Sequence, residues 1–196
     1  MYFQLFPKDN KIDHWLFHVD DKGGKLITRR EYEAMRCNSC GKLDEFAALA
    51  AFVPEDVVVN SPWDFVGFSD DFGIAVSRHF VDVIHDHLIK GLAFIPLPGD
   101  PRCSLLLPEV FMAVDPALAG FEYPGGKCSS CGRPKEAIIG PLIASVEKPD
   151  DPMTIFTGTE HSESVRGRRL NLFCNEQTAR ILRKSKISGL EIVEAL

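Results

Sequence analysis

Between residues 73 and 97 the hydrophobic pattern changes period twice. Gly73-Ile74-Ala75-Val76 is a short apolar run suited to a buried strand, and Ser77 has the side chain of an N-cap. From 78 to 88 the apolar residues Phe80, Val81, Ile84 and Leu88 recur at helical spacing, which predicts an amphipathic helix with these four facing inward. Leu92–Leu97 then reads as a second strand. The same order returns near the end of the chain. Leu170-Asn171-Leu172-Phe173-Cys174 predicts a strand, Asn175 an N-cap, 178–186 a helix and 190–193 a final strand. The joins also match, Ile89-Lys90-Gly91-Leu92 against Ile187-Ser188-Gly189-Leu190, each with a glycine suited to a helix exit. Upstream, residues 2–6, 14–19 and 25–28 predict an N-terminal meander with Asp21-Lys22-Gly23-Gly24 as a turn, and 30–36 and 43–52 predict helices. Another strand is expected at 153–156, after the loop Glu147-Lys148-Pro149-Asp150-Asp151-Pro152.

Ahead of each repeated pattern stands one copy of a polar cluster: Arg36-Cys37-Asn38-Ser39-Cys40-Gly41-Lys42 and Lys127-Cys128-Ser129-Ser130-Cys131-Gly132-Arg133. Two residues between cysteines let one tight turn present both sulfurs to the same tetrahedral zinc ion. Backbone N–H groups within such a turn can point at the sulfurs, and a glycine after the second cysteine can adopt the left-handed conformation. Gly41 and Gly132 hold that place, and Arg36, Lys42, Lys127 and Arg133 could offset the charge of a zinc ion carrying four thiolates. The expected ligands are Cys37, Cys40, Cys128 and Cys131 around one zinc. Four cysteines fill the tetrahedron, so the role is structural. Two other uses of the pairs stay open on sequence grounds: disulfides, and a thioredoxin-like redox centre. Against the first, the remaining cysteines, Cys103 and Cys174, sit in apolar surroundings that suit reduced core thiols. Against the second, such a centre needs one C-x-x-C at a strand-to-helix junction, whereas here there are two, each followed by glycine.

The predicted fold class is α+β, with two pseudo-repeated α/β lobes joined by the four-cysteine site into one zinc-stapled unit. Pro96-Leu97-Pro98-Gly99-Asp100-Pro101 is rigid and turn-forming, which predicts halves at 1–98 and 99–196, each with one knuckle.

Composition bounds the function. The chain has 196 residues, 45% hydrophobic and 26% charged, an ordinary globular composition able to bury a core. Its N-terminus lacks a basic region and its longest apolar run, 46–53, is too short for a bilayer, so cytoplasmic residence without a membrane is expected. A net charge of -6 disfavours general nucleic-acid binding. Charge is uneven: acids dominate 41–75, where Lys42 is the one base, and bases dominate 166–186, where Glu176 is the one acid. The acidic stretch also carries Trp63, Phe65, Phe68 and Phe72, so either it is a solvated face or Asp64, Asp70, Asp71, Trp63 and Phe68 form a surface for a basic protein partner.

The two C-x-x-C-G knuckles, their separation, the strand-cap-helix-Gly-Leu-strand unit after each, and the ending Ile187-Ser188-Gly189-Leu190-Glu191-Ile192-Val193 together resemble the double-CXXCG motif proteins. That bacterial family is associated with immunity proteins that neutralise contact-delivered polymorphic toxins. The resemblance implies a zinc-stabilised scaffold, a divergent binding face, a cognate toxin as partner, and neither catalysis nor a small-molecule substrate. It runs from about Cys37 to the end, while 42–72 and 98–126 match no family pattern. Catalytic motifs are consistent with this reading: there is no Walker-type loop, G-x-G-x-x-G, G-x-S-x-G or H-E-x-x-H. His85 and His87 bracket Asp86 on a predicted helix, where i and i+2 diverge. His14, His18, His79 and His161 are isolated, and no nucleophile accompanies His161 in its polar loop. Two other functions stand beside immunity: a zinc-ribbon nucleic-acid or regulatory adaptor using 166–186, and a thiol redox protein.

Overall fold

Ser77 and Asn175 each end a strand and start a helix. The Ser77 hydroxyl accepts from the Phe80 N–H at 3.3 Å, and the Asn175 carbonyl oxygen accepts from the Thr178 N–H at 3.0 Å. The computed structural model describes residues 1–8, 16–20, 26–69, 72–113, 122–135, 149–159, 163–164, 167–168 and 170–195. It shows a mixed α/β chain with several sheets and few helices. In order these are β1 (Tyr2–Pro7), β2 (His18–Asp20), β3 (Leu26–Thr28), a 3-10 turn at Arg30–Met35, α1 (Glu45–Ala51), β4 (Phe65–Gly67), β5 (Ile74–Ser77), α2 (Arg78–Asp86), β6 (Leu92–Leu97) and β7 (Asp100–Pro108). Then follow β8 (Phe111–Met112), β9 (Thr157–Gly158), β10 (Glu163–Ser164), β11 (Gly167–Arg168), β12 (Leu172–Asn175), α3 (Glu176–Lys184) and β13 (Leu190–Ala195). The expected turn at 21–24 lies outside the described residues.

Both capped helices stop short of their predicted ends. Leu88 and Lys186 each take φ 54, a left-handed turn that breaks the helical hydrogen-bond ladder. Leu88 is therefore 76% exposed, and the expectation that it faces inward is overturned: the turn carries its side chain off the apolar stripe formed by Phe80, Val83 and Ile84.

Two sheets organise the chain, ordered β4-β5-β7-β6 and β12-β1-β13. In each, the strands on either side of a capped helix are both antiparallel to a strand lying between them, β7 in one and β1 in the other. The predicted N-terminal meander is thus corrected. Strand β1 pairs with β12 and β13, while β2 pairs with β3. Burial on both faces explains its central place: Phe3 and Leu5 are buried on one side, and Gln4 on the other donates to the Asn171 side-chain oxygen at 3.1 Å.

The residues at 96–101 form the hairpin between β6 and β7, so a division at 98/99 cuts a sheet rather than a linker. Proline and glycine suit a tight reversal as well as a spacer. Asp100, at the start of β7, accepts from the Arg102 guanidinium at 2.7 and 2.8 Å and from the Val59 N–H at 3.1 Å, pinning the segment before β4 to this hairpin. Its Arg102 bonds hold the carboxyl below the usual range.

The two glycine joins contact the opposite sheet's entry segment. Lys90 exchanges backbone bonds with Met153 and Ile155 at 2.8 and 2.9 Å, while the Ser188 carbonyl accepts from the N–H groups of Asp64 and Phe65, both at 3.1 Å. Gly91 (φ +90) lies against the Ile155 carbonyl oxygen, and a Cβ on Gly189 (φ +76) would lie 2.5 Å from that of Phe65. Both positions need glycine for torsion and for space. Under these joins a core of Leu5, Leu16, Phe17, Tyr32, Phe65, Phe68, Phe72 and Phe80 is continuous. Its rings meet edge-on, Phe17 with Tyr32 at 5.6 Å and with Phe72 at 5.9 Å.

Candidate metal centre

Each C-x-x-C-G cluster folds into the same turn. The Cys37 N–H donates to the Lys42 carbonyl at 2.9 Å and the Gly41 N–H to the Cys37 carbonyl at 2.7 Å. In the second cluster the Cys128 N–H donates to Arg133 at 2.7 Å and the Gly132 N–H to Cys128 at 2.8 Å. Gly41 and Gly132 both take φ 72, the left-handed conformation expected of them. A one-residue bridge closes each turn, Arg36 with Leu43 and Lys127 with Pro134.

The turns meet face to face. Cys37 Sγ lies 3.9 Å from Cys128 Sγ, Cys40 Sγ lies 3.6 Å from Cys131 Sγ, and the Ser39 and Ser130 hydroxyls meet at 2.6 Å. All four sulfurs fall within 4.8 Å of one another. No cysteine is disulfide-bonded, and the two sulfur pairs across the turns are far longer than the roughly 2.05 Å of an S–S bond. The cluster has the donor set and spacing to hold one metal ion.

Electrostatics favour a cation there. The N–H groups of Cys131 and Ser130 bond the Cys128 sulfur and hold its thiol down to about 6; those of Cys40 and Ser39 lower Cys37 in the same way. Burial, with the neighbouring sulfurs, pushes Cys131 up to about 12. Each knuckle thus favours the thiolate form of its first cysteine through its own backbone N–H groups, the form that binds a metal ion. Cys103 and Cys174 are buried elsewhere, and burial pushes the Cys174 thiol up to about 12, so both behave as core thiols.

The flanking cations have distinct surroundings. Arg36 donates Nε to the Gly41 carbonyl at 2.7 Å and Nη1 to the Thr28 hydroxyl at 3.0 Å, bracing the first turn against β3. Lys127 stands over the Tyr123 ring at 4.1 Å, and Lys42 is half-buried. Arg133 is buried, with its two terminal guanidinium nitrogens donating to the Glu45 carboxylate at 3.0 and 3.1 Å and Nη1 also to the Leu43 carbonyl. Glu45 opens α1, whose N-cap is Asp44, just after the first knuckle. The second knuckle is therefore bolted to the first helix by a bidentate ion pair that sequence reasoning missed. A lone glutamate before an alanine-rich helix gives no sign that its partner lies 88 residues away.

The proposed partner face is differently disposed. Phe68 is 1% exposed and Trp63 is half-buried against the core, so their rings support the fold and Phe68 offers no surface anchor. Asp64 accepts from the Ser77 hydroxyl at 2.6 Å and from the Ser188 hydroxyl and N–H at 2.7 and 2.9 Å. Burial pushes its carboxyl up, but these hydrogen bonds outweigh it and hold the group below the usual range. Asp70 and Asp71 lie outside the described residues, as does His161. Among the described residues, no helix is long and apolar enough to cross a membrane.

No family model matches the chain, and no curated protein matches it.

Proposed function

We propose that this chain is a non-catalytic binding protein stapled by one zinc ion, and that it neutralises a toxin domain as the double-CXXCG resemblance implies. The observation that carries the reading is the convergence of four thiols from two identical turns. A zinc–sulfur bond of about 2.3 Å makes each edge of a thiolate tetrahedron about 3.8 Å; the two sulfur pairs across the turns, at 3.6 and 3.9 Å, lie close to that value, and all four sulfurs fall within 4.8 Å. Bound by Cys37, Cys40, Cys128 and Cys131, zinc would supply four metal–thiolate bonds and the charge these sulfurs need. Four protein ligands leave no position for substrate, so the metal acts as structure.

The scaffold reads as two pseudo-repeated α/β lobes about a twofold axis through the metal site. What supports this is the meeting of like with like: Cys37 with Cys128, Ser39 with Ser130, Cys40 with Cys131. The exchange of Gly91 with Ile155 and Gly189 with Phe65 supports it again, as do the paired left-handed residues Leu88 and Lys186. In this reading β1 completes the second lobe as β7 completes the first, so the lobes do not divide at 98/99. Elemental analysis of purified protein tests the metal, with one zinc per chain expected and lost on Cys37→Ser. Co-purification with the product of the neighbouring gene, and survival of cells expressing that product, test the immunity role. A neighbour that is harmless and unbound overturns it.

A further inference from the structure

The four clustered thiols differ in their access to solvent. Cys128 is buried, Cys37 and Cys40 are half-buried, and Cys131 is exposed. The site therefore has an inner pair, Cys37 with Cys128, whose sulfurs lie 3.9 Å apart, and an outer pair, Cys40 with Cys131, at 3.6 Å. Backbone N–H groups hold the inner sulfurs, those of Cys40 and Ser39 on Cys37 and those of Cys131 and Ser130 on Cys128. A second contact between the knuckles lies beside the outer pair. Ser39 and Ser130, each next in sequence to an outer cysteine, join their hydroxyls at 2.6 Å in an exposed position. The buried pair of Arg133 with Glu45 also ties the second knuckle to α1. Neither contact uses the metal, so both continue to oppose the outer sulfurs while the ligands of the site change.

We infer, resting on the zinc reading proposed above, that the site is an exchangeable staple: peroxide converts the outer pair into a Cys40–Cys131 disulfide that expels zinc and replaces its cross-link. The Cys131 thiolate, the most exposed of the four, attacks one oxygen of hydrogen peroxide. Its S–O bond forms, the O–O bond breaks and hydroxide leaves. The Cys40 thiolate then attacks the Cys131 sulfur, forming the S–S bond and releasing a second hydroxide as the S–O bond breaks. The two sulfurs give up two electrons, the peroxide accepts them, and solvent protons convert both hydroxides to water. For this bond the outer sulfurs close from 3.6 Å to about 2.05 Å, while the inner sulfurs stay on their N–H groups. A disulfide inside either knuckle would instead take an inner sulfur away from its two donors. Cys37 and Cys128 are only half of a thiolate tetrahedron, too few to retain the ion. The new bond joins positions 91 apart in sequence, so it restrains the unfolded chain over a long loop.

The test adds hydrogen peroxide to the zinc-loaded full chain in buffer without reductant. A colorimetric chelator reads released zinc, and mass spectrometry of a digest made without reductant maps the linkage. Zinc is expected to leave in step with one disulfide, Cys40–Cys131, and to return after treatment with a dithiol and fresh zinc. The oxidised, metal-free chain is expected to melt at least about 5 °C above the reduced chain stripped by chelator. A first product linking Cys37 to Cys40 or Cys128 to Cys131 overturns the inference. So does zinc that stays bound after the outer pair is joined, or an oxidised chain that melts with the reduced, stripped one. If the purified reduced chain holds no zinc, the metal reading itself fails, and the same peroxide treatment and mapping still decide the linkage.

Discussion

Replacing Arg133 by methionine removes one member of an ion pair in which both side chains are nearly dry, 6% and 4% exposed. The remaining Glu45 carboxylate would lose both guanidinium bonds, and the Leu43 carbonyl would lose a donor. Breaking a buried pair on one side costs about 3–5 kcal/mol, because the partner charge stays in a low-dielectric site. Glu45→Leu strands the arginine instead and should cost a similar amount. The double variant Glu45→Leu with Arg133→Met removes both charges, and apolar pairs in such places are often neutral or better, so it should recover most of the loss. Denaturant unfolding of the four zinc-loaded proteins measures this directly, with a coupling of at least about 2 kcal/mol expected. If each single variant costs less than about 1 kcal/mol, the pair is solvated and contributes as a surface bridge does. Metal competition against a chelator separates two roles for Arg133. A bolt between knuckle and helix predicts that Glu45→Leu weakens metal retention as much as Arg133→Met. A cation acting only on the sulfurs predicts that Glu45→Leu leaves retention intact.

Removing zinc by chelation, or Cys128→Ser, should lower the melting temperature by well over 10 °C, since structural zinc supplies on the order of 10 kcal/mol; scanning calorimetry with and without chelator reads it, and an unshifted transition refutes the staple. Gly91→Ala should cost at least about 2 kcal/mol from the left-handed torsion and the contact with the Ile155 carbonyl; a loss below about 0.5 kcal/mol on denaturation would mean that the join yields freely. Asp100 has a folded carboxyl below its ordinary value, so its contribution is complete above the usual carboxylate range and disappears as pH falls through the lowered one. Asp100→Asn should therefore flatten the acid limb of the stability curve, and an unchanged limb counts against the Arg102 contact. Deleting residues 1–7 withdraws the central strand of a sheet, so the truncated chain should unfold far more readily than end trimming usually allows, as near-ultraviolet circular dichroism would show.

What the sequence made visible was what is decided within a few residues. A knuckle is a closed turn, so cysteine spacing and one glycine specify it, and Ser77 and Asn175 cap their helices through atoms three residues away. Strand partners are decided elsewhere. Nothing within Tyr2–Pro7 says that it separates β12 from β13, because the register partner of Gln4 is Val193. Aromatics among acids at 63–72 suggest a surface, yet Phe65, Phe68 and Phe72 are all buried, because β4 and the residues after it are covered on both faces. Composition alone cannot report that burial.

This bears on where a partner can bind. Asp64 and Phe65 hold the fold together, since their backbone meets Ser188 and the Asp64 carboxylate accepts from Ser77 and Ser188. A substitution that suited a new partner here would disturb the cap of α2 and the opposite join together. A face free to diverge must instead be built from side chains whose loss leaves the metal site and both glycine joins intact. Phe52 and Val58, 38% and 40% exposed around the acidic turn at Glu55 and Asp56, meet that condition better than Trp63 or Phe68. Neither side chain belongs to the sulfur cluster, the buried ion pair or the exchanged joins, so variation at Phe52 and Val58 is the place to look for the recognition proposed above.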